Sequence, residues 1–105
     1  MADTPAKNIL QVKLVNFGKS RAGLATIGYA LFDTSGVTSL ARTTSGVYEL
    51  SSSGIYGANV QFVDGFRGSI VWDTGEAFNR LLVAAESVEL STVSDARTLM
   101  TASIL

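Results

Sequence analysis

Aspartate carries most of the chemistry open to this 105-residue chain. Asp73-Thr74-Gly75 is the triplet with which aspartic proteases present a carboxylate, and a chain near one hundred residues could pair two copies across a dimer axis. The surroundings argue against that use. The triplet falls in the last third of the chain, whereas retroviral-type enzymes carry it in the first third. No Gly-Arg-Asn or Gly-Arg-Asp follower comes downstream, and Glu76 adds a second negative charge beside the would-be dyad. Asp33-Thr34-Ser35-Gly36 also departs from the pepsin-type Asp-Thr-Gly-Ser order. Three residues inside a turn recur by chance. Asp73 is therefore expected to be structural, its carboxylate bonding the amides of its own turn.

The remaining chemistry is thinner. The chain has no histidine and no cysteine, which removes the usual general base, the thiolate nucleophile and the commonest zinc ligands. No catalytic residue, metal or cofactor is expected, and the chain does not read as an enzyme. Asp33, Asp64, Asp73 and Glu76 could meet around calcium if their turns shared one end of the fold, but calcium-loop spacing is missing. Tyr29, Tyr48, Tyr56 and Trp72 could stack on a sugar, although aromatics in strands more often fill a core. Basic residues come early, at Lys7, Lys13, Lys19, Arg21 and Arg42. Residues 1–42 carry a net +3 and residues 43–105 a net −4, an asymmetry that could bring like subunits together head to tail.

Positioning these side chains falls to strands. In residues 9–17, Leu10, Val12 and Leu14 alternate with Gln11 and Lys13, the pattern of a strand with one buried face. Residues 24–32 are apolar on both sides, with Ile27, Tyr29 and Leu31 against Ala30 and Phe32, as in a central strand. Further strands are expected over 47–50, 58–62, 69–72 and 81–90; the last could be read as helical, but its β-branched residues and missing caps favour strand. Between them lie five turns, each ending in glycine, at Gly36, Gly46, Gly54, Gly65 and Gly75. Asp64-Gly65 suits a type I′ turn and predicts a hairpin between the Val60 and Ile70 strands. Turn signals at this spacing predict an all-β fold, an antiparallel β-sandwich of six to eight strands with a jelly-roll or immunoglobulin-like arrangement. Tyr29, Phe32, Tyr56, Phe62 and Trp72 are its expected core residues, and Asp64, Gly65 and Asp73 its turn residues.

One echo runs through the chain. Gly28-Tyr-Ala-Leu-Phe-Asp-Thr34 and Gly68-Ser-Ile-Val-Trp-Asp-Thr74 match at glycine, aromatic, aspartate and threonine. Two strands ending in similar turns account for this more simply than a duplicated half-domain.

Residues 1–8 read as a lead-in, 1–90 as one sandwich domain and 91–105 as a C-terminal arm. The arm runs from a polar stretch to Leu99, Met100, Ile104 and Leu105, which need a surface to cover. Docking on a neighbouring copy or another protein is expected, with packing on the arm's own domain as the alternative. Composition points the same way. Hydrophobic residues make up 47% and charged residues 16%, against roughly 25% charged in an average soluble domain. The mean hydropathy is +0.30. A net charge of −1 suggests neither nucleic-acid nor anionic-membrane binding, and no apolar run is long enough to insert in a membrane. The Met-Ala-Asp-Thr-Pro start lacks signal-peptide character, so use without secretion is expected.

Tyr29-Ala-Leu-Phe-Asp, Ala41-Arg-Thr-Thr-Ser-Gly-Val-Tyr-Glu, Gly54-Ile-Tyr-Gly-Ala and Asp64-Gly-Phe-Arg-Gly-Ser-Ile-Val-Trp-Asp-Thr-Gly occur in that order. Over residues 9–87 the chain thereby resembles small β domains of virion proteins in tailed bacteriophages. The resemblance implies a tail-, baseplate- or fibre-associated subunit, assembled in the host cytoplasm, whose partners are itself and other virion proteins. It brings no catalytic residue, and Arg42, Tyr56 and Trp72 come with it as structural residues only. A capsid decoration protein is the nearest alternative, and a carbohydrate-binding module that attaches to a host-surface glycan is the alternative from another class.

Overall fold

Seven strands organise residues 8–90, the part of the chain that the computed structural model describes: β1 (Asn8–Asn16), β2 (Gly28–Asp33), β3 (Thr38–Thr43), β4 (Tyr48–Glu49), β5 (Ile55–Val63), β6 (Arg67–Asp73) and β7 (Val83–Glu89). A single 3₁₀ turn, Lys19–Arg21, lies between β1 and β2. The strands form two antiparallel sheets, ordered β1-β5-β4 and β3-β2-β6-β7. The fold is an antiparallel β-sandwich. It is not the immunoglobulin arrangement, which puts the second strand beside the first. Here β2 sits in the other sheet, between β3 and β6, and seven strands are described where a jelly roll has eight.

β2 is central, as its two apolar faces require, and the 81–90 segment forms strand rather than helix, over Val83–Glu89. β3 has no counterpart among the expected strands. Leu40 is its only large apolar residue, and it forms because the Asp33 turn returns the chain alongside β2. The Asp64-Gly65 hairpin is corrected. The turn is tight, with the Phe66 amide donating to the Val63 carbonyl at 3.0 Å, but β5 and β6 leave it into different sheets. Only Gly65 has positive φ, whereas a type I′ turn needs it at both central residues; this is the pattern of a type II corner.

Between the sheets lies one core. Val15, Tyr56, Ala58, Val60 and Phe62 from the first sheet meet Tyr29, Leu31, Ile70, Trp72 and Val88 from the second, with Ile27 and Phe66 closing the ends. Tyr29 and Trp72 meet with tilted rings, 5.1 Å between centres and 47° between planes, across the β2–β6 pair. Phe32 is placed otherwise than expected. It lies on the opposite face of β2, partly buried and outside that cluster.

The echo in the sequence becomes the centre of the second sheet. β2 and β6 are antiparallel partners in which Gly28 faces Asp73 and Asp33 faces Gly68. Gly28 opens β2 opposite the aspartate that ends β6, and Gly68, the second residue of β6, lies opposite the aspartate that ends β2.

β1 reverses the expectation drawn from its pattern. Leu10, Val12 and Leu14 face outward, 62%, 59% and 50% exposed, while Gln11 and Lys13 turn toward the core side. Pairing fixes this. β5 turns Tyr56, Ala58, Val60 and Phe62 inward, and the register sets Leu10 opposite Gln61, Val12 opposite Asn59 and Leu14 opposite Gly57 on its outer side. Lys13 runs over the Phe62 ring at 5.9 Å and reaches Glu86 on β7 at 3.8 Å, closing that side of the sandwich with an ion pair.

Candidate functional site

The loop after β6 gathers the side chains that looked most chemical. Asp73 ends the strand, and its carboxylate accepts from Arg42 Nε at 2.8 Å and Nη2 at 2.7 Å, a two-pronged pair. The same carboxylate accepts the Gly75 amide at 2.9 Å. Arg42 also donates to the Thr26 carbonyl at 2.6 Å, so one guanidinium ties β3, the entry to β2 and the end of β6 together. Its hydrogen bonds to Asp73 raise the Arg42 pKa, against the smaller opposing effect of burial. Gly28 makes room for it, since a Cβ there would stand 2.6 Å from Arg42 Cζ. Thr74 is fully buried; its amide donates to Leu82 O at 3.0 Å and its hydroxyl accepts the Leu82 amide at 3.1 Å.

Glu76 takes the next pair of cations. It accepts from Arg21 Nε at 2.8 Å and Arg80 Nε at 3.3 Å, and Arg21 also donates to the Arg80 carbonyl at 3.0 Å. Burial alone would raise the Glu76 pKa; hydrogen bonds from Thr74, Arg21 and Arg80 outweigh it and hold the carboxyl below the ordinary glutamate range. The Asp-Thr-Gly-Glu run is thus a knot of arginine-bound carboxylates. Neither acid is arranged to share a proton with another carboxylate, and the charge asymmetry of the sequence is consumed within the chain, through Lys13–Glu86, Arg21–Glu76 and Arg42–Asp73.

The calcium constellation is not assembled. Asp33 and Asp73 stand at opposite ends of the β2–β6 ladder, about 17 Å apart at the rise of a strand. Asp33 instead accepts the Ser35 and Val37 amides of its own turn at 2.8 and 2.9 Å. Among the described residues no group of three potential metal ligands comes together. The sugar platform fails too. Tyr29, Tyr56 and Trp72 are buried, which leaves Tyr48 alone of the four exposed. The Tyr56 hydroxyl donates to the Arg21 carbonyl at 2.6 Å and accepts the Leu24 amide at 3.0 Å, locking the 3₁₀ turn onto β5. Glu49, which no motif singled out, accepts the Gly23 and Gly54 amides and joins two loops.

What remains open is apolar surface. The outer face of the first sheet carries Leu10, Val12 and Leu14 on β1, Gly57, Asn59, Gln61 and Val63 on β5, and Tyr48 on β4, with Tyr48 and Leu14 closing over Gly57. Round the edge, β4 pairs with only Tyr56 and Gly57, so beyond Gly57 the β4-side edge of β5 has no strand partner among the described residues. Between that edge and β3 opens a groove of about 580 Å³, floored by Tyr29, Leu31, Phe62 and Phe66 with Leu40 at one lip and Val63 at the other. Leu99, Met100, Ile104 and Leu105 lie outside the described residues. No known protein family, curated protein or solved structure matches the chain.

Proposed function

We propose that this chain is a structural subunit of a tailed-bacteriophage virion, associated with the tail, baseplate or fibre and assembled in multiple copies. The observation that carries the reading is the outward row of Leu10, Val12 and Leu14, with Val63 and Tyr48 beside it on the same face. Contiguous exposed apolar side chains of this kind mark an interaction surface. The arginine-bound state of Asp73 and Glu76 supports a structural rather than a catalytic role for the only motif that resembled an active site. The sequence resemblance supplies the class of particle. Its work is surface complementarity, carried by rigid strands with their loops free to reach neighbours. Mass spectrometry of purified particles, followed by a density map, tests it. The chain is expected at a fixed copy number per virion, and its absence from particles made in cells that express it refutes the proposal.

A further inference from the structure

We infer that residues 91–105 fold back on their own domain, adding a strand along the open edge of β5 and filling the groove between β5 and β3. The place where the described chain ends names this occupant. The Leu90 amide donates to the Phe66 carbonyl at 2.9 Å, and Phe66 belongs to the groove floor. The Phe66 amide in turn donates to the Val63 carbonyl at 3.0 Å, so Leu90 lies beside the Val63 end of the groove. A segment tethered there meets the groove at an effective concentration of about millimolar, far above that of a second copy in dilute solution. Fifteen residues follow Leu90. The open edge from Ala58 to Val63 is about 20 Å long at the rise of a strand. About five residues can round the Asp64-Gly65 corner, and the rest can run the length of the groove antiparallel to β5.

The edge of β5 supplies the backbone partners. Amides and carbonyls along a strand point alternately to its two sides. The Gly54 carbonyl accepts the Phe17 amide on the β1 side, and the Ile55 carbonyl accepts the Leu50 amide on the β4 side. The β1–β5 register is unbroken, so the backbone groups of Asn59 and Gln61 point away from β1, beyond the end of β4. Such a row is a template for one more strand. The segment has the matching pattern. From residue 96 its even positions are Ala96, Thr98, Met100, Ala102 and Ile104, none charged, while Asp95 and Arg97 fall on the odd row. Strand alternation then lays Met100 and Ile104 over the aromatic and leucine floor and keeps both charges in water. No groove residue is charged, so neither charge would find a partner inside. The arm is thereby placed on its own domain and not on the neighbour expected from its apolar residues alone.

Amide exchange of the full chain, read residue by residue by NMR at two protein concentrations, tests this. The Asn59 and Gln61 amides are expected to be protected, although no described strand pairs with that side of β5. Met100→Asp, which sets a carboxylate against the groove floor, is expected to speed their exchange by about tenfold or more. The Ala58 and Val60 amides, which face β1, are expected to remain protected in the variant, showing that the sandwich is intact. If Met100→Asp does not fold, Ile104→Asp carries the same test. Rapid exchange at Asn59 and Gln61 in the parent overturns the inference, as does protection that survives the substitution. Protection that appears only at the higher concentration, together with sedimentation at twice the monomer mass, assigns the groove to the segment of a second copy and overturns it too. None of these outcomes depends on whether the chain is found in virions, so the two proposals fail separately.

Discussion

Breaking the Arg42–Asp73 pair measures how much the knot after β6 contributes. The perturbation is a double-mutant cycle of Arg42→Gln, Asp73→Asn and both together. Exposed ion pairs couple by about 0.2–1 kcal/mol, and two-pronged charge-assisted geometry at 2.7–2.8 Å favours the upper end. Solvent screening limits it, since the Arg42 side chain is 41% and the Asp73 side chain 23% exposed. The coupling should be about 1 kcal/mol at low salt and should fall as ionic strength rises. Asp73→Asn alone should cost about 1 kcal/mol or less, because the asparagine oxygen can still accept the Gly75 amide. That is a drop in Tm of about 4–8 °C for a domain of this size. Urea unfolding followed by circular dichroism reads all four corners. Coupling below about 0.2 kcal/mol would refute the clamp, which places it with pairs that add nothing measurable. A pepstatin-sensitive cleavage activity lost in Asp73→Asn would refute the structural role of the carboxylate altogether.

Trp72, 2% exposed against Tyr29, should emit at short wavelength and shift to the red on unfolding, and Trp72→Ala should cost about 3–5 kcal/mol; red-limit emission from the folded chain would contradict its burial. Tyr56→Phe removes a hydroxyl that serves both the Arg21 carbonyl and the Leu24 amide, so unfolding free energy should fall by about 1–3 kcal/mol, and an unchanged value would show that those groups do not rely on it. The lowered Glu76 pKa gives a pH dependence with a definite sign. The unfolded chain binds the proton first as pH falls below the ordinary glutamate value of about 4.3, so stability held above that pH declines down to the folded pKa. Stability curves from pH 7 to 3 should therefore be flatter in Glu76→Gln, and parallel acid limbs would exclude a contribution from Glu76.

The turns were the most legible part of the fold. All five glycines that end the turn signals sit at positive φ, between 66° and 79°, and the two aspartates that close β2 and β6 bond their own turn amides. These features are local, so the sequence carries them directly. What failed depends on partners distant in sequence. Asp64-Gly65 marked a reversal correctly, but whether two strands leaving a turn pair with each other or enter opposite sheets is decided by what each meets elsewhere in the chain: β1 for β5, and β2 with β7 for β6. β3 was illegible because an exposed edge strand needs no apolar face, only the backbone of β2 alongside it. The ion pairs span 31 to 73 positions, so early lysine and arginine looked like a bare basic patch until folding set them against late carboxylates.

β1 shows where pattern and fold part most sharply. Alternation reports that a strand has an apolar side; it does not say which side the core will take, because a shift of one residue in register exchanges the two. Two sets of contacts compete. The pairing that turns Leu10, Val12 and Leu14 inward would bury more aliphatic surface from β1 itself, but would turn Val15 and Lys13 outward. The observed register keeps Val15 in the core, lays the Lys13 stem over Phe62 and brings its ammonium to Glu86. Those contacts close the β1–β7 side of the sandwich. The result leaves the aliphatic row in water, where at roughly 25 cal/mol per Å² it forgoes a gain that burial against a neighbour would restore. β1 is therefore a strand whose inner face is decided by Val15 and Lys13, with its aliphatic row left on the outside.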